Sequence, residues 1–292
     1  MRVLILGVSG LIGHKILQEF TSYFEVFGTL HKSKNFYNNI KLFSGNNIIE
    51  NIDVSEYEIV NGVINAINPD VVLNCVGITK RKDEINNSIK ALTVNSVFPH
   101  QLANWAQNSG KKVIHFSTDC VFDGKTGNYN ETSLTTAEDM YGRTKALGEL
   151  KYERTLTIRS SFIGQELFGK TELLEWFLSQ NGKQIKGFRN TFYSGVSTIF
   201  MAHVIRDIIL NFPDLSGLYN LAPEKPISKF DLLSIAKTAF NVKVDIIPED
   251  EHAHLPTLDG SKLRTKMNLV VPSWQSMMNE LSSNRDYYLN IR

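Results

Sequence analysis

The stretch Val3-Leu4-Ile5-Leu6-Gly7-Val8-Ser9-Gly10-Leu11-Ile12-Gly13 decides the fold of this chain. Four apolar residues predict a buried strand, and the segment after the glycines has helical spacing as far as Phe20. Glycines between a strand and a helix let the backbone approach a pyrophosphate, and the helix N-terminus favours its negative charge. The spacing, Gly-x-x-Gly-x-x-Gly, is not the more familiar Gly-x-Gly-x-x-Gly. We expect dinucleotide binding by Gly7, Ser9, Gly10, Leu11, Ile12 and Gly13.

Short apolar runs alternate with longer helical segments through the first half of the chain. The predicted strands are Val3–Leu6, Val26–Leu30, Asn47–Ile52, Asp70–Cys75, Val113–Phe116 and Leu156–Arg159. The predicted helices between them are Leu11–Phe20, Ser55–Ile67, Val94–Asn108 and Ala137–Lys151. This alternation predicts an α/β fold, a Rossmann-type doubly wound parallel sheet with a smaller C-terminal α/β substrate lobe. We assign residues 1–165 to the dinucleotide-binding domain, with a segment near 192–211 returning to it, and residues 166–292 to the substrate-binding lobe.

The composition supports a large folded core and excludes several classes. Of 292 residues, 42% are hydrophobic and 21% are charged, which excludes a disordered chain. Lys and Arg number 31 against 30 Asp and Glu, and the net charge of +1 gives no long-range attraction to nucleic acid or membrane. No stretch approaches the roughly 18–20 apolar residues of a membrane helix. Two cysteines cannot build a disulfide framework. We expect a cytoplasmic protein with neither nucleic acid nor membrane as a partner.

The end of the second predicted strand bears on the choice of cofactor. It reads Thr29-Leu30-His31-Lys32-Ser33-Lys34, without the acid that favours NAD. Basic side chains favour the additional phosphate of NADP, so His31 and Lys32 predict NADPH, with NADH as the alternative. Asp53 and Val54 follow the third strand, where an adenine contact is plausible. Asp53 could equally cap the next helix.

Three side chains supply chemistry suited to carbonyl reduction. Tyr141 and Lys145 are four residues apart on a predicted helix and therefore share one face. A tyrosine can protonate a developing alkoxide, and a nearby lysine charge lowers its pKa. Thr118 follows the fifth strand, where its hydroxyl could hold the substrate oxygen.

Seen together, these motifs resemble the extended short-chain dehydrogenases/reductases, and most closely the dTDP-4-dehydrorhamnose reductase family. The matching segments are Gly7–Gly13, Asn68–Cys75, Val94-Asn95, Ser117–Gly124, Tyr141–Lys145 with Gly148-Glu149, Arg159-Ser160 and Leu258–Leu263 with Trp274. They span nearly the whole chain in one order. To the cofactor site we add Cys75, Val76, Gly77 and Asn95.

The resemblance implies a role for each residue of the set Thr118, Tyr141 and Lys145. Tyr141 would be the acid, Lys145 would also bind the nicotinamide ribose, and Thr118 would orient the carbonyl. The family transfers hydride from a reduced nicotinamide to C4 of a nucleotide-linked 4-keto-6-deoxysugar. The resemblance thus implies a nucleotide-diphosphate sugar substrate, a place in surface-polysaccharide synthesis and a homodimer.

Cys120 leaves a second activity open. Related 4,6-dehydratases carry Glu at this position, and close relatives of the reductase usually carry Tyr. GDP-fucose synthase has a similarly placed cysteine that works in epimerisation, so a bifunctional epimerase/reductase is an alternative. The partner histidine of that enzyme is absent here, and Glu166 could substitute for it. Cys120 could instead be a small buried residue. A third reading is a regulatory subunit that binds dinucleotide without turnover.

Polar and basic segments mark candidate substrate contacts. The loop after the fourth strand contains Thr79 and Arg81, and a later segment contains Arg189, whose guanidinium could bind phosphate bidentately. We also assign Thr118, Asp119, Cys120, Val121 and Phe122 to the substrate site. The run Asp250–His254 resembles a metal cluster but lacks evident third and fourth ligands, so we predict no metal site.

Overall fold

Seven parallel strands form the central sheet of this computed structural model, which describes residues 1–290, and six shorter or peripheral strands form three separate pairs. In chain order, all of these strands are β1 (Arg2–Leu6), β2 (Glu25–Thr29), β3 (Ile48–Ile49), β4 (Val71–Asn74), β5 (Lys112–Ser117), β6 (Thr155–Arg159), β7 (Phe162–Ile163), β8 (Gln184–Phe188), β9 (Phe192–Tyr193), β10 (Val196–Ser197), β11 (Gly217–Asn220), β12 (Ile227–Ser228) and β13 (Asp245–Glu249). The helices are α1 (Leu11–Phe20), α2 (Tyr57–Ile67), α3 (Ser88–Leu92), α4 (Phe98–Ser109), α5 (Met140–Leu147), α6 (Leu173–Leu178), α7 (Thr198–Asn211), α8 (Lys229–Ala239), α9 (Ser261–Met267), α10 (Trp274–Ser283) and α11 (Arg285–Asn290).

The strand order β11-β6-β5-β4-β1-β2-β3 places the site. From β1 the chain builds outward through β2 and β3, and it then returns to the other side of β1 with β4. Strand order therefore reverses between β1 and β4, and open α/β sheets bind ligands outside the carboxyl ends of the strands at such a point. The predicted doubly wound fold is confirmed.

Continuous burial explains why these runs form a parallel sheet. Val3–Leu6 is fully buried, since one apolar core packs on each face of the sheet. Helices α1 and α7 contribute to one core, and α2 and α4 to the other. A third core joins α6, α8 and α10 in the C-terminal part. Among the described helices, none combines the length and apolar character needed to cross a membrane.

Strand β11 lies in the central sheet although its sequence falls within the predicted lobe. It pairs with β6 in parallel, from Gly217 opposite Leu156 to Asn220 opposite Arg159. Side chains cover its outer edge, because Lys262 Nζ donates to the Leu218 carbonyl at 2.9 Å and Glu131 accepts from the Asn220 N–H at 2.9 Å. Capping an edge strand in this way prevents pairing with another chain.

Candidate active site

The glycine turn between β1 and α1 is shaped by close backbone approaches. Gly7 has φ +83°, and a Cβ there would lie 2.8 Å from Val76 Cγ2. A Cβ on Gly13 would lie 2.2 Å from the Gly7 carbonyl oxygen. Thr29 at the end of β2 fixes the turn, because its hydroxyl accepts from the Gly7 N–H at 3.1 Å.

Gly10 differs from the other two glycines. It is exposed, and a Cβ there would meet only ordinary contacts within the chain, 3.5 Å from the Gly7 oxygen. No side chain caps α1 at Gly10, so its first N–H groups are free to meet a ligand. Ser9, Leu11 and Ile12 are partly exposed beside it. The residues present therefore fit a dinucleotide pyrophosphate at this helix N-terminus.

The ends of β2 and β3 form an open, mainly basic surface. His31 and Lys32 are exposed, and Lys32 Nζ lies 4.0 Å from the centre of the Phe36 ring. The sequence pattern shows no acid at the end of β2, but the fold brings Glu50 there, where its carboxylate accepts from the Lys34 backbone N–H. Glu50 follows β3, so only the pairing of β2 with β3 could have revealed this neighbour.

Asp53 closes the turn that precedes α2. Its carboxylate accepts from the Ser55 N–H at 2.9 Å and from the Ser55 hydroxyl at 2.7 Å. Burial raises the pKa of Asp53, but the Ser55 hydrogen bonds and the nearby His31 hold it below its usual value. The helix begins at Tyr57, two residues later than predicted, and Val54 is buried.

Asn95 connects the loop after β4 to α5. It lies in a π-helical turn at Thr93–Val97 and is fully buried. Its Oδ1 accepts from the Ile78 N–H at 2.9 Å, and its Nδ2 donates to the Ile78 carbonyl at 2.9 Å and to Thr144 Oγ1 at 3.1 Å. Asn95 therefore positions the loop that carries Cys75, Val76 and Gly77, which are themselves partly exposed at the crevice.

The fold brings Thr118, Tyr141 and Lys145 together. Helix α5 begins after Asp139, whose side chain accepts from the Gly142 N–H at 2.8 Å and caps the helix. A Cβ on Gly142 would lie 2.2 Å from the Cys120 carbonyl oxygen, so only glycine lets α5 approach the end of β5 this closely. Tyr141 consequently faces Thr118, and Lys145 lies one turn further along the same helix.

Burial controls the electrostatics of these side chains. It raises the pKa of Tyr141, as does the neighbouring Cys120, while a hydrogen bond with Thr118 opposes the rise. Burial also lowers the pKa of Lys145 to about 8, although Glu149 opposes this shift. Lys145 Nζ donates to the Phe116 carbonyl at 2.7 Å and lies 3.3 Å from His115 Nε2. Because burial raises the pKa of Tyr141, its side chain is a protonated phenol before reaction.

Cys120 is not poised as a base. Burial and the adjacent Asp119 raise the pKa of its thiol to about 11, although Lys80 Nζ, 3.8 Å from the sulfur, opposes the rise. A thiol with this pKa remains protonated at neutral pH. Glu166, the possible epimerisation partner, accepts from the Thr171 N–H at 2.9 Å. Cys75 is also a free thiol, and burial raises its pKa.

The predicted phosphate-binding arginines have partners within the chain. Arg81 lies 2.5 Å from Glu172 Oε2 and also donates to the Thr171 carbonyl, which links the loop after β4 to the segment before α6. Arg189 is half exposed, 3.7 Å from Asp250 and stacked over Phe230. Each guanidinium therefore has a carboxylate beside it, and its role in binding phosphate stays a prediction.

Several predicted substrate contacts differ in accessibility. Thr79 is partly exposed, and Asp119 is buried with its Oδ1 accepting from the Thr118 hydroxyl at 3.1 Å. Val121 and Phe122 belong instead to a small core in which the Phe122 and Tyr129 rings stack at 4.1 Å. Both side chains are buried in that core, so a substrate contact at these two positions, which stays a prediction, would be made by the backbone.

Two polar side chains that sequence reasoning did not assign to the site, Tyr193 and Lys229, lie within electrostatic reach of Asp119 and Cys120. The Tyr193 hydroxyl is buried and has no hydrogen-bond partner within residues 1–290. Its pKa is raised by burial and by Asp119 and Glu172. Burial and the nearby Lys80 lower the pKa of Lys229. Tyr193 lies four residues after Arg189, in the same segment, whereas the sequence around Lys229 gave no signal of a site.

No metal cluster emerges from the part of the chain that the structure describes. Within residues 1–290 there is no group of three or more His, Cys, Asp or Glu side chains able to hold an ion. Of the two histidines in the suspected run, His252 Nδ1 lies 2.6 Å from Glu249 Oε2. The ring of His254 packs closely against Gly124, where an added Cβ would lie 2.3 Å from it.

A model of the RmlD substrate binding domain family matches residues 1–285. The chain belongs to this family.

Among the relatives of this RmlD-family chain is a dTDP-4-dehydrorhamnose reductase from Escherichia coli K12. The two are 27% identical over 261 residues, covering 78% of this chain and 85% of the relative. The methionine adenosyltransferase 2 subunit beta of Danio rerio is 24% identical, covering 82% of this chain and 74% of that protein.

Solved structures share the fold of this RmlD-family chain. A dTDP-4-dehydrorhamnose reductase from Bacillus anthracis in complex with NADP superposes with a TM-score of 0.79 at 20% identity, covering 96% of this chain and 98% of that one.

Proposed function

We propose that this chain is an NADPH-dependent reductase of a nucleotide-linked 4-keto-6-deoxysugar, acting in nucleotide-sugar and surface-polysaccharide biosynthesis. The observation that carries the proposal is the hydrogen bond between Thr118 and Tyr141 at the carboxyl end of β5, with Lys145 one turn further along the same helix. The uncapped glycine turn of α1 follows β1 at the same edge of the parallel sheet. Membership of the RmlD family and the likeness to the reductase of E. coli support the same activity.

In the proposed reaction each side chain has a separate task. The glycine turn and the N-terminus of α1 would hold the cofactor pyrophosphate, and His31 and Lys32 would face the additional phosphate of NADPH. When bound, the reduced nicotinamide supplies a hydride to the substrate carbonyl carbon. Thr118 holds the carbonyl oxygen in place. Tyr141, kept protonated by burial, donates its proton to that oxygen, and Lys145 holds the nicotinamide ribose.

The test is turnover by the purified chain. We expect NADPH absorbance to fall in the presence of dTDP-4-dehydrorhamnose or a related nucleotide 4-keto-6-deoxysugar. Tyr141→Phe should retain cofactor binding and lose about 10²–10⁴-fold in kcat, because the proton donor is gone. Full turnover by that variant would contradict the assigned roles.

A second candidate is a dinucleotide-binding regulatory subunit without turnover, and one relative is indeed named as a subunit of a methionine adenosyltransferase. The presence of all three reactive side chains at one place speaks against it, since a non-catalytic protein does not require them. NADPH binding without oxidation of the cofactor, across a panel of nucleotide 4-keto-6-deoxysugars, would favour this candidate over the reductase.

We also propose that the chain is a homodimer. Helices α3 and α5 are neighbours, and apolar side chains on them and on the π-helical turn that follows α3 remain exposed. These are Ile89, Leu92, Val97, Met140 and Leu147, of which Ile89 is 79% and Leu147 61% exposed. An apolar surface of this kind is typical of a subunit interface.

A further inference from the structure

The segment between β7 and α6 contacts two loops that lie on opposite sides of the glycine turn. We call residues 166–172 the strap. Near its middle, the Phe168 ring lies 5.3 Å from the ring of Tyr37 in the loop after β2. At its end, the Glu172 carboxylate lies 2.5 Å from the guanidinium of Arg81 in the loop after β4. The proposed mechanism assigns the strap no task.

The strand order places the strap across the carboxyl end of β1. In the sheet, β1 lies between β2 and β4. A segment that contacts the loops after both of these strands therefore spans the end of β1, where the glycine turn begins and α1 has its uncapped N-terminus. Leu167 anchors the strap there, because its buried side chain belongs to the same apolar core as Val8 and Ile12 of the turn. The strap thus borders the site that fits a dinucleotide pyrophosphate.

Glu166 folds the strap into a compact turn. Its Oε2 accepts from the Thr171 N–H at 2.9 Å and from the Glu172 N–H at 2.8 Å, and its Oε1 accepts from the Thr171 hydroxyl at 2.9 Å. Gly169 supplies the positive φ, +81°, that the turn requires. Since the strap keeps its shape by these internal bonds, its contacts with the two loops are the ones that break when the crevice opens.

Opposite charges attract the strap to the loop after β4. The loop carries Lys80, Arg81 and Lys82, and the strap carries Glu166 and Glu172. Burial raises the pKa of Glu172, Arg81 opposes the rise, Glu166 adds to it, and Lys80 and Lys82 oppose it. The side chains of Arg81 and Glu172 are 38% and 30% exposed, so solvent screens this pair less than it screens a fully exposed one.

The two contacts of the strap lie near opposite ends of the predicted cofactor site. Tyr37 belongs to the loop that follows Lys32, the residue expected to face the additional phosphate of NADPH. Glu172 lies within electrostatic reach of Tyr141, because it adds to the rise in pKa that burial of Tyr141 mainly causes. The strap therefore extends from the phosphate end of the site towards the reacting end.

We propose that the strap closes over the dinucleotide once it is bound, with the Arg81–Glu172 ion pair as its clasp. This inference rests on the dinucleotide site of the proposed function and does not depend on the sugar. Opening of the clasp is then a step in cofactor release, so Arg81 and Glu172 retain the cofactor until hydride transfer. Closure of such a segment also shields the reacting groups from water.

The rate of NADPH dissociation tests the clasp. Protein loaded with NADPH is mixed with excess NADP⁺ in a stopped-flow instrument, and the decay of the bound NADPH fluorescence gives the rate constant. We expect Glu172→Gln and Arg81→Met each to raise this constant about 3–10-fold, because each removes one partner of the ion pair. Lys82→Met removes a neighbouring charge without breaking the clasp, and its rate should stay within about 1.5-fold of the wild type.

The double variant shows whether Arg81 and Glu172 act through one contact. It should release NADPH no faster than the faster single variant, because the contact is already lost in each. Unchanged rates in both single variants, or effects that multiply in the double variant, would overturn the proposal. No sugar is present, so NADPH binding without sugar reduction would contradict the proposed function and leave the strap unaffected.

Limited proteolysis monitors the strap in the wild-type chain. Lys170 is exposed within the strap and offers a trypsin site, and Lys183 is an exposed control site between α6 and β8. We expect saturating NADPH to slow cleavage after Lys170 by about threefold or more, because cleavage requires local opening, and to leave cleavage after Lys183 unchanged. Equal protection of the two sites, or protection of neither, would overturn the proposal.

Discussion

Lys145 has a measurable effect on stability because its pKa differs between the folded and unfolded states. Burial lowers the pKa from 10.5 to about 8 in the folded chain. Between these values the unfolded state binds more protons, so the free energy of unfolding rises with pH. Relative to Lys145→Met, we expect the wild type to gain up to about 3 kcal/mol from pH 8 to pH 10.5.

Urea unfolding of both proteins at several pH values measures this gain. Lys183→Met, at an exposed position, is the control and should follow the wild-type pH dependence. Parallel curves for wild type and Lys145→Met would show that Lys145 keeps an ordinary pKa.

Cys120 offers a prediction that separates reduction from epimerisation. Because its thiol pKa is raised to about 11, the thiolate needed for a base is scarce at neutral pH. We expect Cys120→Ala to keep kcat within about threefold of wild type. Products formed in deuterated water should carry no deuterium at C3 or C5 in either protein. Deuterium uptake by the wild type that disappears in the variant would instead establish the epimerase.

Single residues were predictable where spacing along one element carried the information. Tyr141 and Lys145 are four residues apart on one helix, so their proximity follows from helical geometry. His115 is 41 residues from Asn74 and 30 from Lys145, and its contacts depend on the sheet register. Within a buried strand, a histidine gives no local sign of such partners.

At the scale of the elements, Gly13 tests the packing of α1 against β1. A Cβ at this position would lie 2.2 Å from the Gly7 oxygen, and backbone on both sides cannot move aside cheaply. We expect Gly13→Ala to lower stability by about 1–3 kcal/mol and to weaken NADPH binding. Thermal unfolding with and without NADPH measures both effects.

Gly62 provides the control for this substitution. It lies within α2, and a Cβ there would meet nothing within 4 Å. Gly62→Ala should therefore stabilise the protein by up to about 1 kcal/mol, because alanine is the better helix former. Equal effects of the two substitutions would contradict the argument from close packing.

Hydrophobic periodicity predicted the strands and helices in the first half of the chain, but it predicted their ends less accurately than their existence. All six predicted strands exist, since a strand buried on both faces reads as a continuous apolar run. The predicted helix at Val94–Asn108 instead begins with a π-helical turn, and α4 starts at Phe98. Strand β11 was missed because its four residues, Gly217–Asn220, alternate between buried and partly exposed positions.

For the whole molecule, the proposed dimer yields a prediction about assembly. Leu147 is exposed on α5 beside the apolar side chains of α3. We expect Leu147→Glu to convert the dimer to a monomer, because burying a carboxylate in an apolar interface is unfavourable. Light scattering coupled to size exclusion measures the mass. Val270→Glu, at a position that is 83% exposed away from these helices, should leave the dimer intact. A wild-type monomer would refute the proposed assembly.

The position of β11 has a consequence for engineering relatives of different specificity. Residues 217–220 complete one edge of the central sheet by pairing with β6. Helix α7, residues 198–211, packs in the same core as α1. A chimaera joined at one point near residue 165 would therefore graft foreign sheet and foreign core together with the new specificity. An exchange that preserves this scaffold requires several crossover points, so that α7 and β11 stay with their own β1–β6. Recombination between distant family members is constrained in the same way.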